Sequence, residues 1–229
     1  MYRILPKKLL FSLFAWLVIA LILLGQYLST MSAVVLKYSS IPALAWIALS
    51  AMLWNPVWRL LWRKIPSLNQ IIFPDLNGRW KVELSSNWPR QEQLLTAAMS
   101  EHDAIDMRSC PPEHLASLQT VFLEAEVRQT WWSIEMKIWN PLRDTPIKRS
   151  DTISVDPFVG IGFKPHGICY FFKQTNETDI GSDDAEFYGA ARVEYDPATD
   201  TLEGLVWSAR QWRRAMNTAG ALKFSRITS

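Results

Sequence analysis

Two long stretches without charged side chains open the chain, and short segments of alternating apolar and polar residues follow them. Residues 9–36 carry no ionised side chain, and their first part, LLFSLFAWLVIALILLGQYL, has about the 20 residues that span the hydrocarbon core of a membrane. Residues 38–58 are likewise uncharged. This pattern predicts a transmembrane hairpin within residues 1–66, with helices over about 9–28 and 40–62.

A secretory signal peptide is the competing interpretation of the first apolar stretch. Arg3, Lys7 and Lys8 form a basic region before it, as such a signal requires. However, the stretch is long for a signal peptide, a small-x-small cleavage site is missing, and a second apolar segment follows. The hairpin interpretation is therefore favoured.

A row of tryptophans lies at the end of the second apolar segment. Trp54, Trp58 and Trp62 are spaced by four residues, so they share one face of a helix, and Arg59 and Arg63 lie beside them. This arrangement is typical of an aromatic belt with basic anchors at a membrane interface. An aromatic stripe in a packed core is the alternative, and the sequence shows no compact helical partner for it.

Alternation with period two dominates from Gly78 onward, after a connector at 67–73. In GRWKVELSSNW, for example, Trp80, Val82 and Leu84 share one face and charged side chains occupy the other. Seven further strands are predicted by TVFLEAEVRQT, WSIEMKIWN, KRSDTISV, GICYFFKQT, AEFYGAARVEY, TLEGLVWSA and GALKFSRI. One long interruption, residues 89–117, contains the predicted short helix RQEQLLTAAM and is either a lid or an elaborated loop.

The eight predicted strands favour a closed, antiparallel, up-and-down barrel of the lipocalin-like kind over residues 74–229, because closure removes exposed sheet edges. A β-sandwich remains the alternative. In lipocalin-like barrels a G-x-W motif opens the first strand, and Gly78 and Trp80 match it. We expect Trp80 to close one end of the barrel under Arg226 of the last strand, and the ligand to occupy the other end.

Charge differs between the two halves. Residues 1–66 hold seven basic residues and no acidic ones, whereas the remaining 17 basic and 22 acidic residues sum to −5. Lys37 alone lies between the two apolar segments, so the positive-inside rule predicts both termini in the cytoplasm. The acidic second half argues against binding to long nucleic acid. Cys110 and Cys169 are expected to be free thiols in that reducing compartment.

The sequence offers no catalytic or metal-binding motif. His102, His114 and His166 have no metal-ligand spacing, and neither a nucleophile elbow nor a phosphate-binding G-x-x-x-x-G-K loop occurs. We therefore expect no enzyme, no metal and no cofactor. A membrane-tethered carrier of a small apolar ligand and a structural membrane adaptor remain alternatives on fold alone.

Taken in order, these segments resemble the two-transmembrane, β-strand-rich effectors of bacterial CBASS anti-phage systems, which are membrane effectors associated with CD-NTases. The resemblance covers nearly the whole chain: the N-terminal hairpin, LNGRW at 76–80, VRQTWWSIEMKI at 127–138, the Ser/Thr strand at 150–154, and LEGLVWSAR with GALKFSR within 202–226. Each piece is short, and their order and spacing make the combination specific.

The resemblance implies that the barrel binds a cyclic dinucleotide made by a cGAS/DncV-like nucleotidyltransferase after infection. Binding would drive homo-oligomerisation in the bacterial inner membrane, disrupt that membrane and kill the infected cell before phage release. One strand departs from the family pattern: H-x-G-T-A is replaced here by FYGAA, Phe187 to Ala191. Roles of that histidine and threonine therefore do not transfer, and the bases of the ligand stay open.

A cyclic dinucleotide requires guanidinium or hydroxyl groups for its phosphates, and aromatic faces and hydrogen-bonding side chains for its bases. Each candidate also has a structural interpretation, in the core or on the outer wall. The predicted ligand-binding residues are Arg128, Gln129, Thr130, Trp132, Ser150, Thr152, Tyr170 and Arg210. We expect them at the end of the barrel opposite Trp80.

Overall fold

The computed structural model describes residues 7–31, 37–102, 104–160, 162, 164–177 and 184–227. Arg3 of the predicted basic region lies outside them. The chain divides into two units. The N-terminal unit comprises Met1–Asp75 and Thr130–Ser133, and the barrel unit comprises Leu76–Gln129 and Ile134–Ser229.

The N-terminal unit is helical. Its helices are α1 (Lys7–Met31), α2 (Ile41–Leu53), α3 (Asn55–Lys64) and the single turn α4 (Leu68–Ile71), with a 3₁₀ turn at Tyr38–Ser40. Helix α1 packs against α2. In the described residues no one helix has both the length and the apolar character to cross a membrane, whereas α2 and α3 together satisfy both criteria as a pair bent by 67°. The transmembrane hairpin therefore stays a prediction.

The second predicted helix, over about 40–62, is interrupted at Trp54. Trp54 separates α2 from α3 in an extended conformation, with φ −67° and ψ 134°. Pro56 explains the break, because in a continuous helix its ring would clash with the carbonyl of Met52, one turn earlier. At the start of α3 the missing proline N–H has no such cost.

The tryptophans of α3 form a core, so the predicted aromatic belt is wrong for Trp58 and Trp62. Both are buried and pack edge to face at 5.5 Å between ring centroids. Trp62 also packs on Trp131 at 6.2 Å, and its indole N–H donates to the carbonyl of Phe73 at 2.7 Å. The partner that the sequence did not reveal is thus a short segment 69 positions further along the chain. Trp54 remains exposed.

The barrel unit is a closed eight-stranded barrel in which every strand pairs antiparallel with the next and the first pairs with the last. Its strands are β1 (Gly78–Ser86), β2 (Gln119–Gln129), β3 (Ile134–Trp139), β4 (Ile147–Phe158), β5 (Gly167–Asn176), β6 (Glu186–Asp196), β7 (Thr201–Ser208) and β8 (Ala219–Arg226). The predicted barrel is confirmed, and the β-sandwich alternative is wrong. Helix α5 (Trp88–Met99) and 3₁₀ turns at Pro112–His114 and Trp212–Arg214 complete the unit.

Strand alternation fills the barrel with apolar side chains. Inward positions include Trp80, Val82, Leu123, Val127, Ile168, Val193, Leu202 and Phe224, all buried. Because neighbouring strands are antiparallel, the connections after β1, β3, β5 and β7 meet at one end. We call this the cavity end, around Gln174 and Asn176. The opposite end, around Trp80 and Arg226, is called the capped end.

The predicted row of Ser150, Thr152 and Ser154 is interrupted. A register shift lies between Thr152 and Ser154 on β4, opposite Phe172 and Phe171 of β5. Such a β-bulge inserts one residue and reverses the alternation beyond it. Ser150 is consequently buried inside the barrel, whereas Ser154 is exposed.

Candidate ligand-binding site

The capped end is closed by Trp80 and Arg226, as the sequence predicted. Trp80 is fully buried, and its indole N–H donates to the carbonyl of Leu76 at 3.0 Å. The Arg226 guanidinium carbon lies 4.2 Å from the centre of the indole ring. Its Nε donates to the Asp200 carboxylate at 2.6 Å and its Nη1 to the carbonyl of Asn77 at 2.7 Å. The Arg226 guanidinium thus makes a cation–π contact with the buried indole while its N–H groups donate hydrogen bonds to Asp200 and Asn77.

Gln129 belongs to the same end. Its Oε1 accepts from the backbone N–H of Leu76 at 2.6 Å, and its own backbone N–H donates to Asn77 Oδ1 at 2.7 Å. The expectation that Gln129 lies at the end opposite Trp80 is therefore wrong. The reason is antiparallel pairing, which brings the end of β2 back to the start of β1, with Val127 opposite Gly78.

A buried phenol completes the capped end. The hydroxyl of Tyr195 donates to Asp200 Oδ1 at 3.0 Å. Burial first, and the nearby Asp200 carboxylate second, raise the pKa of Tyr195 to about 12. Both causes disfavour the phenolate, so this hydroxyl is neutral over the physiological range.

The cavity end contains a pocket of about 80 Å³. Apolar side chains such as Leu84, Val121, Phe172, Phe187 and Val206 form part of its wall. The polar side chains that line it include Gln174, Asn176, Ser208, Thr218 and Arg210. The pocket therefore combines an apolar wall with several hydrogen-bonding groups, as small-molecule sites do.

Gln174 and Asn176 form a carboxamide pair on the inner face of β5. The Gln174 Nε2 donates to Asn176 Oδ1 at 2.9 Å. Asn176 is 6% exposed, and among the described residues its Nδ2 has no hydrogen-bond partner. Sequence reasoning missed this pair. Its signal was the phase of GICYFFKQTN, because the alternation that buries Tyr170 and Phe172 continues inward into Gln174 and Asn176.

The mouth of the cavity is lined by Trp88 and Arg210. The Arg210 guanidinium carbon lies 4.4 Å from the centre of the Trp88 ring. Trp88 was predicted at the end of the first strand but begins α5, one residue before the interruption at 89–117, and its side chain lines the pocket. Nearby, the hydroxyls of Ser208 and Thr218 lie 2.7 Å apart.

Three predicted residues lie on or near the β2–β3 turn. Arg128 is exposed and its Nε pairs with Glu126 at 3.0 Å. Thr130 Oγ1 accepts from the backbone N–H groups of Ser133 at 2.9 Å and Trp132 at 3.1 Å, as a turn-forming threonine does. Trp132 is 60% exposed, in the N-terminal unit.

Three further predicted residues lie inside the barrel. Ser150 is opposite Gln174 across the β4–β5 pair. The Thr152 hydroxyl accepts from the N–H of Met136 at 2.9 Å and donates to its carbonyl at 3.1 Å. It therefore satisfies both backbone polar groups of Met136 on β3. Tyr170 is 2% exposed, and burial raises its pKa.

The structure thus does not bring the predicted residues into one site. Of those eight described side chains, Arg210 is the one that lines the cavity. A metal centre is not formed either within the described part of the chain, where no three His, Cys, Asp or Glu side chains are grouped as an ion would require. The expected absence of a cofactor stays a prediction.

Comparison with known proteins gives one informative relative. No protein-family model matches the chain. The curated protein CD-NTase-associated protein 15 of Escherichia albertii is 26% identical over 156 residues, which cover 67% of this chain and 62% of that protein. The match therefore spans less than two thirds of the relative's length.

Proposed function

We propose that this protein is an effector of a cyclic-oligonucleotide anti-phage system of the CBASS type, and that its barrel binds a cyclic dinucleotide made by a partner nucleotidyltransferase. The name of the relative supports an association with a CD-NTase. The observation that carries the proposal is the cavity, where amide and hydroxyl groups meet a guanidinium and an indole.

The chemistry of the cavity fits the ligand class. Arg210 offers a guanidinium for a phosphate, and Trp88 offers an aromatic face for a base. The volume of about 80 Å³ is far below the roughly 300 Å³ at the lower limit of ordinary ligand pockets. Part of the ligand therefore enters the barrel, while its sugar–phosphate ring stays at the mouth beside Arg210.

The N-terminal unit supplies the output in this proposal. Its long uncharged segments anchor the chain in the bacterial inner membrane, with both termini in the cytoplasm. Ligand binding promotes homo-oligomerisation, and the assembled segments disrupt the membrane. The protein makes and breaks no covalent bond in this scheme.

A thermal-shift experiment tests the proposal. The full chain in detergent micelles is heated with cyclic di-AMP, cyclic di-GMP, cyclic di-UMP and mixed-base cyclic dinucleotides, with the linear dinucleotides as controls. A ligand that binds only the folded state stabilises it by about 2.7 kcal/mol at 100 times its Kd, so at least one cyclic member raises the Tm. No shift with any member would contradict the proposal.

The apolar wall of the cavity supports one alternative function, that of a membrane-tethered carrier of a small apolar ligand. An apolar arm of the same experiment, with a medium-chain fatty acid, separates the two functions. A shift with the fatty acid and none with any cyclic dinucleotide would favour the carrier. Liposomes loaded with a quenched dye then test the output, because the effector releases the dye only when its cyclic dinucleotide is added.

A further inference from the structure

Asn176 lines the cavity, and its amide nitrogen is a buried, unsatisfied donor. The side chain is 6% exposed, it lines the pocket, and within the described part of the chain its Nδ2 has no partner. An unsatisfied buried donor destabilises the folded state, and folded proteins retain few of them. A hydrogen-bond acceptor on a bound ligand would satisfy the Asn176 amide and remove this destabilisation. The unsatisfied donor therefore points to a binding function.

Gln174 fixes the orientation of that donor. Its Nε2 donates to Asn176 Oδ1 at 2.9 Å, so the oxygen of Asn176 is occupied and its Nδ2 has no acceptor among the described residues. Gln174 also lines the pocket and keeps its own oxygen as an acceptor. The carboxamide pair therefore presents a donor and an acceptor side by side.

We infer that the carboxamide pair reads the edge of one nucleobase of the ligand. Asn176 donates to a ring nitrogen or carbonyl oxygen, and Gln174 Oε1 accepts from an adjacent N–H of the same base. Carboxamides pair in this bidentate way with base edges, which carry neighbouring donors and acceptors. This inference rests on the proposed function and adds to it the group that discriminates between bases.

The size of the cavity supports an edge-first mode of binding. A cavity of about 150 Å³ holds a benzene ring. The pocket of about 80 Å³ therefore accepts the edge of a base rather than a whole nucleotide. The outer part of the same base would then lie near Trp88 at the mouth, within reach of stacking.

The test replaces each amide by leucine in the full chain. For Asn176→Leu and Gln174→Leu we expect affinity for the preferred cyclic dinucleotide to fall about tenfold or more, since each variant removes a buried hydrogen bond to the ligand. We also expect the preference among cyclic di-AMP, cyclic di-GMP and cyclic di-UMP to narrow. Asn176→Leu removes the unsatisfied Nδ2 but also the acceptor of Gln174 Nε2, so the unliganded Tm should change little.

Gln129→Leu is the matched control at the capped end. It leaves the Leu76 N–H unsatisfied, so it lowers the Tm but leaves the base preference unchanged. If wild type binds a cyclic dinucleotide and both cavity variants bind it with unchanged affinity and preference, the inference is overturned and the proposed function stands. If wild type binds no member of the panel, the proposed function fails and the inference with it.

Discussion

The two ends of the barrel are built from the same kinds of side chain, and they differ in how those side chains are satisfied. At the capped end Arg226 lies 4.2 Å from the ring centre of Trp80, and at the cavity end Arg210 lies 4.4 Å from that of Trp88. Trp80 is fully buried, however, whereas Trp88 is half-buried at a mouth. The same cation–π pair is therefore a structural cap at one end and part of an accessible surface at the other.

The amides repeat this contrast. The Asn77 side chain accepts from the backbone N–H of Gln129 at 2.7 Å and donates to its carbonyl at 3.0 Å, and the Gln129 side chain accepts from the N–H of Leu76 at 2.6 Å. Gln174 donates to Asn176, and among the described residues the buried Nδ2 of Asn176 has no hydrogen-bond partner. Residue type therefore does not distinguish a structural amide from a binding amide. The completeness of its hydrogen bonds does.

The largest expected effect is on stability at the capped end. Trp80→Ala removes a fully buried indole and should lower the free energy of unfolding by roughly 3–5 kcal/mol, as large core truncations do. Chemical denaturation of the full chain in micelles measures it. The stability of Trp80→Phe should lie between those of wild type and Trp80→Ala, because phenylalanine keeps most of the apolar volume but loses the N–H bond to Leu76. Unchanged stability with lost ligand binding would reverse the assignment of the two ends.

Replacing the two arginines by methionine compares the ends directly. Arg226→Met should cost about 1–3 kcal/mol, because Asp200 Oδ2 and the carbonyl of Asn77 lose the hydrogen bonds from Arg226. Arg210→Met should cost less stability and weaken binding of the cyclic dinucleotide, since a phosphate loses its guanidinium. Unfolding and titration experiments on both variants give the two values. If Arg226→Met and Arg210→Met lose the same stability and bind the cyclic dinucleotide with the same affinity, the two ends do not differ in function.

The capped end should also lose stability at high pH. The folded state raises the pKa of Tyr195 from its ordinary value of 10.0 to about 12, so folding favours the neutral phenol. Its contribution is fully present below pH 10 and is lost as the pH rises towards 12. Tyr195→Phe should unfold with a shallower pH dependence between pH 10 and 12. Tyr170, whose pKa burial also raises, keeps a residual slope in the variant. If the stability of wild type and variant depends on pH in the same way between pH 10 and 12, the raised pKa of Tyr195 is contradicted.

The sequence predicted the barrel because alternation is a local signal that each strand carries by itself. The likeness of its G-x-W motif to lipocalin-like barrels also predicted the contact between Trp80 and Arg226, which the pairing of the first and last strands brings opposite each other. The placement of Gln129 at the opposite end from Trp80 was wrong although the predicted antiparallel order already brings the end of the second strand back to the start of the first. The sequence did not reveal the cavity at Asn176, because composition does not show whether an inward amide is satisfied.

In the N-terminal unit, too, the sequence predicted local structure but not the tertiary contacts. The spacing of Trp58 and Trp62 correctly gave one helical face, but their environment depends on Trp131, which is remote in sequence. Four-residue spacing describes a surface belt and a buried stripe equally well. Only a tertiary partner distinguishes them, and no local pattern encodes that partner.

The smallest expected effect on stability is at the mouth of the cavity. Trp88 is half-buried, and its indole N–H donates to the exposed Glu92 at 2.8 Å. Trp88→Ala therefore loses one exposed cation–π contact of about 0.5–1 kcal/mol and little core packing. Affinity should nevertheless fall about tenfold or more, since stacking of a base on an aromatic ring contributes roughly 1–3 kcal/mol. Trp88→Phe should restore most of the affinity, because stacking needs only an aromatic face. A loss of affinity that phenylalanine does not restore would assign Trp88 to the positioning of α5, and the mouth would then have no base-stacking function.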